Sequence, residues 1–212
     1  MVQHKLDLVR PFGPTIAKAV IPEDIISKLN NYIDEIIVNK KKSKELDHGP
    51  KLVGNVKQEI AIEKEFAKKI GWLDFLGNCT SKWVEVSSGK KISKFHIIES
   101  WVVRQFKNEY NPVHWHGGHV SGAGFLKLPS TFGKTFQENK KDVNGKLTLI
   151  HGSKSFLSNS KFDIQPIVGD FYFFPHYLMH SVYPFTGSDE ERRSISFNAK
   201  IDEGVFDVFR GQ

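Results

Sequence analysis

The sequence predicts a mainly β protein, a two-sheet sandwich or jelly roll, buttressed by helices at the N-terminal end. Two observations predict this fold class. After about residue 94, short segments rich in β-branched and aromatic residues follow one another without helical patterns between them. The chain also contains 17 phenylalanines, and aromatic side chains pack well on pleated surfaces. The expected strands are 94–106, 119–128, 146–152, 163–168, 170–175 and 192–201.

The first 93 residues are predicted to form two short strands followed by two helices. Residues 5–10 alternate apolar and polar side chains, and 14–21 follows a turn-like sequence. Pro22 suits a helix start. A second helix is expected over about 57–78, with 47–55 as the connection. The first helix would bury one apolar face, formed by Ile25, Ile26, Leu29, Ile33, Ile36 and Ile37.

The length of 212 residues fits a single domain, in which 1–93 supports a jelly-roll core over 94–201. The only cysteine, Cys79, can form neither an internal disulfide nor a cysteine-based zinc site. The N-terminal residues do not read as a signal peptide, and no later segment reads as a membrane span, so the expected location is the cytoplasm.

The formal net charge of +6 raises the question of a nucleic-acid partner. Basic residues concentrate in 39–44, 89–94 and 139–142, without interleaved aromatic residues. These segments are typical of solvated loops and helix ends, which disfavours nucleic-acid binding. The pattern indicates no particular oligomeric state.

Three histidines lie within six positions in the sequence HWHGGH, at His114, His116 and His119. If the first part is extended, His114 and His116 point to one side and Trp115 packs on the other. His180 follows an apolar strand and is the best candidate for a third ligand. A close pair plus a distant histidine is a facial arrangement that suits non-haem Fe(II). From this motif alone, an incidental histidine pair remains the alternative.

The last predicted strand offers a possible anion site. One face of this strand would carry Arg192, Ser194, Ser196 and Asn198. A guanidinium binds a carboxylate in a bidentate fork, and the hydroxyl of Ser194 would add a third hydrogen bond. The alternative is an edge strand whose charges are solvated.

Taken together, the histidine pair, His180 and the R-x-S motif beginning at Arg192 resemble the 2-oxoglutarate/Fe(II)-dependent oxygenase superfamily. The similarity is carried by HWHGGHVSGAGFLKLP, GDFYFFPHYLMHSVYPFTG and RRSISFN, and covers about residues 94–201. The chain most resembles the prolyl-hydroxylase-like branch, and within it a group of oxygenases found in marine bacteria and their phages. A phage-encoded enzyme would act in the host cytoplasm.

The resemblance implies a double-stranded β-helix, a form of jelly roll, that binds Fe(II) and uses 2-oxoglutarate and O₂ as cosubstrates. It implies hydroxylation of an unidentified small-molecule or protein substrate, such as a peptidyl side chain. His114, His116 and His180 would hold the iron, and Arg192 with Ser194 would bind the distal carboxylate of 2-oxoglutarate.

The sequence departs from the superfamily at one ligand position. The superfamily usually has Asp or Glu where this chain has His116, so the iron would have one negative charge fewer around it. Three-histidine iron sites occur in the unrelated cupin dioxygenases. His119 is the reserve ligand, and Asp170 is a less favoured substitute.

Further residues are weaker candidates for the site. Trp101, Arg104 and Tyr110 are candidates for lining the pocket or positioning 2-oxoglutarate, with core packing as the alternative for Trp101. Phe125 stands where related enzymes often have a tyrosine that contacts the cosubstrate. Lys127 would share the face of Phe125 and offer another anion contact. A supporting hydrogen bond is expected from Asn198.

Two other functions remain open at this point. One is a cupin-like three-histidine dioxygenase that needs no 2-oxoglutarate. The other is a non-catalytic jelly-roll module that binds a sugar or a protein. A zinc hydrolase is disfavoured because no carboxylate lies beside the histidines in the sequence to serve as a general base.

Overall fold

The computed structural model describes residues 5–9, 13–135, 137 and 139–207. The strands of this part are β1 (Leu6–Val9), β2 (Ile16–Val20), β3 (Gln58–Ala61), β4 (Phe95–Gln105), β5 (Asn111–His114), β6 (Val120–Lys127), β7 (Leu147–Ile150), β8 (Lys161–Ile164), β9 (Asp170–Pro175), β10 (Met179–Val182) and β11 (Arg192–Ile201). The helices are α1 (Glu23–Val38), α2 (Lys40–Glu45), α3 (Lys64–Lys69), α4 (Trp72–Ser88) and α5 (Glu203–Phe206).

The strands form two antiparallel sheets. The larger sheet has the order β1-β2-β9-β6-β11-β4-β3, and the smaller sheet has the order β5-β10-β7-β8. The neighbours pair antiparallel throughout the described residues. The predicted fold class, a mainly β jelly roll with N-terminal helices, is confirmed.

The two faces of the larger sheet have different partners. On one face, α1 and α4 bury apolar side chains such as Leu29 and Phe75 against Phe171 and Phe197 of the sheet. On the other face, a separate apolar cluster joins the two sheets. The helices therefore cover the outer face of the larger sheet. Its inner face, which packs against the smaller sheet, remains available for a site between the two sheets.

The prediction for the N-terminal half is partly confirmed. The strand pair β1–β2 and the helix α1 lie where they were expected. The second predicted helix is wrong at its start, because 58–61 is strand β3 and pairs with β4. Pairing buries both Glu59 and Ile60, one on each face of the sheet. The helical part is divided at Gly71, whose φ of 83° ends α3, and continues in α4 to Ser88.

The strand predictions for the C-terminal half are mostly accurate. Strands β9 and β11 have the predicted bounds, whereas β8 covers 161–164 rather than 163–168. The short strands β5 and β10 were not predicted. Within the described residues, no helix combines the length and the apolar character that crossing a membrane requires.

Close packing of β6 against its neighbour β9 makes Gly122 sensitive to substitution. A Cβ at Gly122 would lie 2.5 Å from Phe171 Cε1 and 2.8 Å from the carbonyl oxygen of Tyr172, which cannot rotate away. We expect Gly122→Ala to lower the free energy of unfolding by about 1–3 kcal/mol, because overpacking displaces the neighbours. Chemical denaturation measures this change.

The control for this prediction is Gly204→Ala, where no atom lies within 4 Å of the added Cβ. The control is expected to unfold at the wild-type denaturant concentration or slightly above it. Equal midpoints for the two variants would contradict the close packing of β6 against β9.

Candidate metal centre

Strands β5 and β10 bring two distant histidines together. They pair antiparallel with His114 directly opposite His180. Directly paired residues in an antiparallel ladder project from the same face. The two imidazole ring centroids are accordingly 4.2 Å apart.

The third histidine, His116, lies just beyond the end of β5. Its backbone N–H donates to the carbonyl oxygen of His176 at 3.0 Å, which fixes the chain after the strand. Its ring centroid lies 5.0 Å from that of His114 and 4.8 Å from that of His180. The expected packing of Trp115 on the opposite face does not occur, since the strand ends at His114 and Trp115 is 66% exposed.

Backbone carbonyls fix the tautomers of two of these rings. The Nδ1 of His114 lies 2.7 Å from the carbonyl oxygen of Pro112, and the Nδ1 of His180 lies 2.9 Å from that of Leu178. A carbonyl oxygen only accepts, so Nδ1–H is the donor and Nε2 keeps its lone pair in the neutral ring. Burial lowers the pKa of His114 and His180, and it lowers the pKa of His116 to about 3.

The arrangement fits one metal ion. Nε2 of His116 and Nε2 of His180 are 3.1 Å apart, and the candidate ligand atoms of all three histidines lie within 4.8 Å of one another. Two nitrogens bound at right angles, each about 2.1 Å from one ion, would be about 3 Å apart. In the described part of the chain, no carboxylate joins this cluster. The donor set is therefore three neutral imidazoles, which suit iron and other transition metals.

The reserve ligands lie elsewhere. Nδ1 of His119 accepts a hydrogen bond from the backbone N–H of Ile201 at 3.1 Å, and its ring stacks on Phe206. Asp170 forms an ion pair with Lys18 at 2.7 Å. Both are engaged in contacts outside the histidine cluster.

The cavity beside the histidines contains a buried guanidinium. Arg192 lines this cavity and is 1% exposed. Its Nη1 donates to Ser194 Oγ at 3.2 Å, and its guanidinium carbon lies 5.2 Å from the ring centroid of Phe125. Among the described residues, its Nε has no hydrogen-bond partner. Burial lowers the pKa of Arg192 to about 9, which still leaves it positive at neutral pH.

The neighbouring arginine has the opposite environment. Arg193 points to the helical side, where its Nη2 lies 2.7 Å from Asp34 and its Nε lies 2.9 Å from Glu191. Arg192 therefore differs from Arg193 in lacking a carboxylate partner among the described residues. A buried cation without a counter-ion favours binding of an anion.

A bulge moves Lys127 away from the cavity. Ser194 is paired with Phe125, which lines the cavity as expected, but the next pair along is Arg193 with Lys127. The extra residue, Leu126, turns Lys127 to the face of Arg193, where it is exposed. The anion contact expected of Lys127 is not available in this arrangement.

Other weaker candidates are also placed outside the cavity. Tyr110 is 41% exposed and forms a bridge with Asn55. Arg104 forms an ion pair with Glu191 at 2.8 Å. Trp101, by contrast, lines the cavity, with its ring 5.4 Å from that of His116.

Asn198 is buried away from the cavity. Its Nδ2 donates to Glu99 Oε1 at 2.7 Å, and its Oδ1 accepts from Ser121 Oγ at 2.7 Å. His48 completes this chain of contacts through Glu99 at 3.0 Å. Asn198 therefore holds β11 to β4 and β6, and it does not contact the three histidines.

The cavity also includes Glu59, which sequence reasoning missed. Residues 58–61 were expected to be helical, and a four-residue strand with two polar side chains has too short an alternation to be recognised. Only pairing with β4 turns Glu59 toward the histidines.

A family model described as "Putative 2OG-Fe(II) oxygenase" matches residues 99–198. The matched range contains His114, His116, His180 and Arg192. Over residues 99–198, the chain is similar to the 2OG-Fe(II) oxygenase family. This family uses Fe(II), 2-oxoglutarate and O₂. A search of curated protein sequences finds no match.

Solved structures share the fold at low sequence identity. A viral collagen prolyl hydroxylase from Paramecium Bursaria Chlorella virus-1, solved with 2-oxoglutarate, is 14% identical with a TM-score of 0.53, over 87% of this chain and 94% of its own. A Trichoplax adhaerens prolyl hydroxylase, solved with a peptide fragment, is 12% identical with a TM-score of 0.53, over 98% and 87%. The carbocyclase SnoK from nogalamycin biosynthesis is 13% identical with a TM-score of 0.56, over 88% and 79%.

Proposed function

We propose that this protein is a 2-oxoglutarate-dependent dioxygenase in which His114, His116 and His180 hold Fe(II), while Arg192 and Ser194 bind the distal carboxylate of 2-oxoglutarate. The observation that supports this best is the content of one cavity. It joins three imidazoles to a buried guanidinium that has no carboxylate partner among the described residues. The family match supports the choice of metal and cosubstrate.

When bound, Fe(II), 2-oxoglutarate and O₂ supply the oxidation, in which 2-oxoglutarate becomes succinate and CO₂ while a substrate C–H bond becomes C–OH. The protein orients the cosubstrate through the guanidinium of Arg192, whose fork matches a carboxylate. Phe125 and Trp101 form apolar walls that limit water near the reacting groups.

The proposed primary substrate is a small molecule or a peptidyl side chain. Both classes have precedent among proteins of this fold, since one structural neighbour was solved with a peptide and another is a carbocyclase. The C–H bond to be oxidised must reach the open side of the three histidines.

A second function is favoured by the ligand set itself. Three histidines without a carboxylate are also the donors of cupin-like dioxygenases that need no 2-oxoglutarate. Under that alternative, Arg192 would have no anion to bind, and no ligand would compensate for the burial of its charge. The requirement for 2-oxoglutarate therefore separates the two functions.

Succinate formation tests the proposal. Purified protein with Fe(II), O₂ and 2-oxoglutarate is expected to release succinate, slowly without a primary substrate and faster with one. A chelator is expected to stop the release, and His180→Ala is expected to reduce it at least about 100-fold by removing a ligand that the other two cannot replace. Succinate is quantified by mass spectrometry.

The matched control is His96→Ala, which removes an exposed histidine outside the cluster and is expected to leave the rate unchanged. Iron-loaded protein that neither binds 2-oxoglutarate nor forms succinate would contradict the proposed function.

A further inference from the structure

Strand β3, at the edge of the larger sheet, contributes Glu59 to the same cavity as the histidines. Glu59 is 3% exposed. It is paired with Val103 of β4, which is paired with Ser194 of β11. Directly paired residues share a face, so Glu59 and Ser194 face the cavity from strands about 10 Å apart. The carboxyl group thus lies on the same wall of the cavity as the proposed 2-oxoglutarate clamp, two strands away from it.

Glu59 differs from the other buried carboxyl groups in the described residues. Asp170 is paired with Lys18 at 2.7 Å, and Glu191 is paired with Arg104 at 2.8 Å. Within the described part of the chain, Glu59 has neither an ion pair nor a side-chain hydrogen bond. A buried carboxyl group without a partner carries a desolvation cost that a ligand can relieve.

A second acceptor oxygen lies near the carboxyl group of Glu59. Oδ1 of Asn111 is buried and has no hydrogen-bond partner among the described residues. A Cβ placed on Gly54 would lie 2.6 Å from Asn111 Oδ1 and 2.9 Å from Glu59 Oε1. The two acceptor oxygens therefore approach the same point beside the backbone of Gly54, where a side chain would collide with both.

The two oxygens favour a ligand that donates hydrogen bonds. Because Glu59 and Asn111 both offer acceptor oxygens, they favour a ligand group with several N–H bonds. The carboxyl group of Glu59 further favours a ligand group that is positively charged. Burial, assisted by the like charge of Asp47, raises the pKa of Glu59 to about 7. A bound cation would compensate for the burial of Glu59 and for its repulsion by Asp47, and would thereby keep Glu59 ionised.

We propose that Glu59, together with Asn111, binds an ammonium or guanidinium group of the primary substrate. The substrate would then be either a basic small molecule or a peptide with a basic side chain. This inference rests on the proposed function, because it assumes that the cavity receives a substrate. Arg192 would bind the anionic cosubstrate and Glu59 the cationic substrate, on different strands of one sheet.

Binding to the enzyme loaded with Fe(II) and 2-oxoglutarate under nitrogen tests this inference. The free probes are L-lysine, L-arginine and the neutral L-norleucine, and the peptide probes are capped tripeptides with the same three residues at the centre. Calorimetry is expected to show that cationic probes bind about tenfold or more tightly than the norleucine probe of the same arm, because a charged hydrogen bond is gained. Tighter binding in the free arm identifies a small molecule, and tighter binding in the peptide arm identifies a peptide.

Two variants locate the site. Glu59→Gln is expected to remove the preference for cationic probes while norleucine binding persists. Gly54→Ala is expected to do the same, because its Cβ would displace the oxygens of Asn111 and Glu59. The matched control is Glu45→Gln on α2, which alters a glutamate whose side chain is 60% exposed and keeps the preference.

The inference is overturned if cationic and neutral probes bind the wild type equally, if no cationic probe binds below about 10 mM, or if Glu59→Gln keeps the preference. Failure of the proposed function is recognised separately, because the wild type would then form no succinate from 2-oxoglutarate.

Discussion

Replacing Arg192 by methionine is expected to lower kcat/KM for 2-oxoglutarate strongly and, in the same protein, to increase the stability of the metal-free fold. Both effects have one cause. The guanidinium is 1% exposed and has only Ser194 Oγ and the ring of Phe125 as partners among the described residues. It is a buried positive charge that destabilises the fold until an anion binds. Methionine has a similar shape and no charge.

The size of the two effects follows from the loss of a buried charge pair. Removing one partner of such a pair typically costs about 2–5 kcal/mol of binding, so kcat/KM for 2-oxoglutarate is expected to fall about 30-fold or more. The free energy of unfolding is expected to rise by about 1–4 kcal/mol, as when buried charges are replaced by apolar side chains. Succinate formation measures the first effect, and urea denaturation measures the second.

Arg193→Met is the matched control, because it alters the adjacent residue on the opposite face of β11. Arg193 is paired with Asp34 and Glu191, so its loss leaves a buried carboxylate with fewer partners. Its expected effect is a decrease in stability of about 3–5 kcal/mol. If Arg192→Met also destabilised the protein, or if it kept the wild-type kcat/KM for 2-oxoglutarate, Arg192 would not be an anion site.

Exchanging His116 for aspartate is expected to preserve the metal site and change its metal preference. The superfamily usually has a carboxylate at this position, so the shorter oxygen ligand is expected to reach the same ion. An oxygen ligand favours Mn(II) relative to Ni(II), compared with imidazole. His116→Asp should therefore raise the ratio of Mn(II) to Ni(II) affinity. His116→Ala should lower both affinities about 100-fold or more.

Equilibrium dialysis with each metal measures these affinities, and His96→Asp is the control because His96 is exposed and outside the cluster. Were His116→Ala to bind both metals as tightly as the wild type, a residue other than His116 would be the second ligand.

The predicted fold depended on local patterns that the structure retains. Strand β9 is a strongly aromatic run, strand β11 alternates polar and apolar residues from Ser194 to Ile201, and α1 repeats its apolar residues at helical spacing. Strands β5 and β10 have four residues each and contain polar side chains, so neither shows a clear alternation. Their pairing is a tertiary effect that places His114 opposite His180, and the sequence contains no local signal for it.

The candidate site shows the same division. His114, His116, His180 and Arg192 were identified because their residue types and spacing are chemically unusual. The prediction for Lys127 was wrong because one bulged residue, Leu126, places Lys127 on the opposite face of the sheet from the one expected. Glu59 was missed because its position depends on pairing with a strand more than 40 residues later.

A crystal structure grown under nitrogen with Mn(II) in place of iron, and with 2-oxoglutarate, tests the central claim most directly. The account predicts one metal ion bound by nitrogen atoms of His114, His116 and His180. It also predicts that the distal carboxylate of 2-oxoglutarate contacts the guanidinium of Arg192. Metal bound through any other set of residues, or a carboxylate that lies away from Arg192, would contradict it.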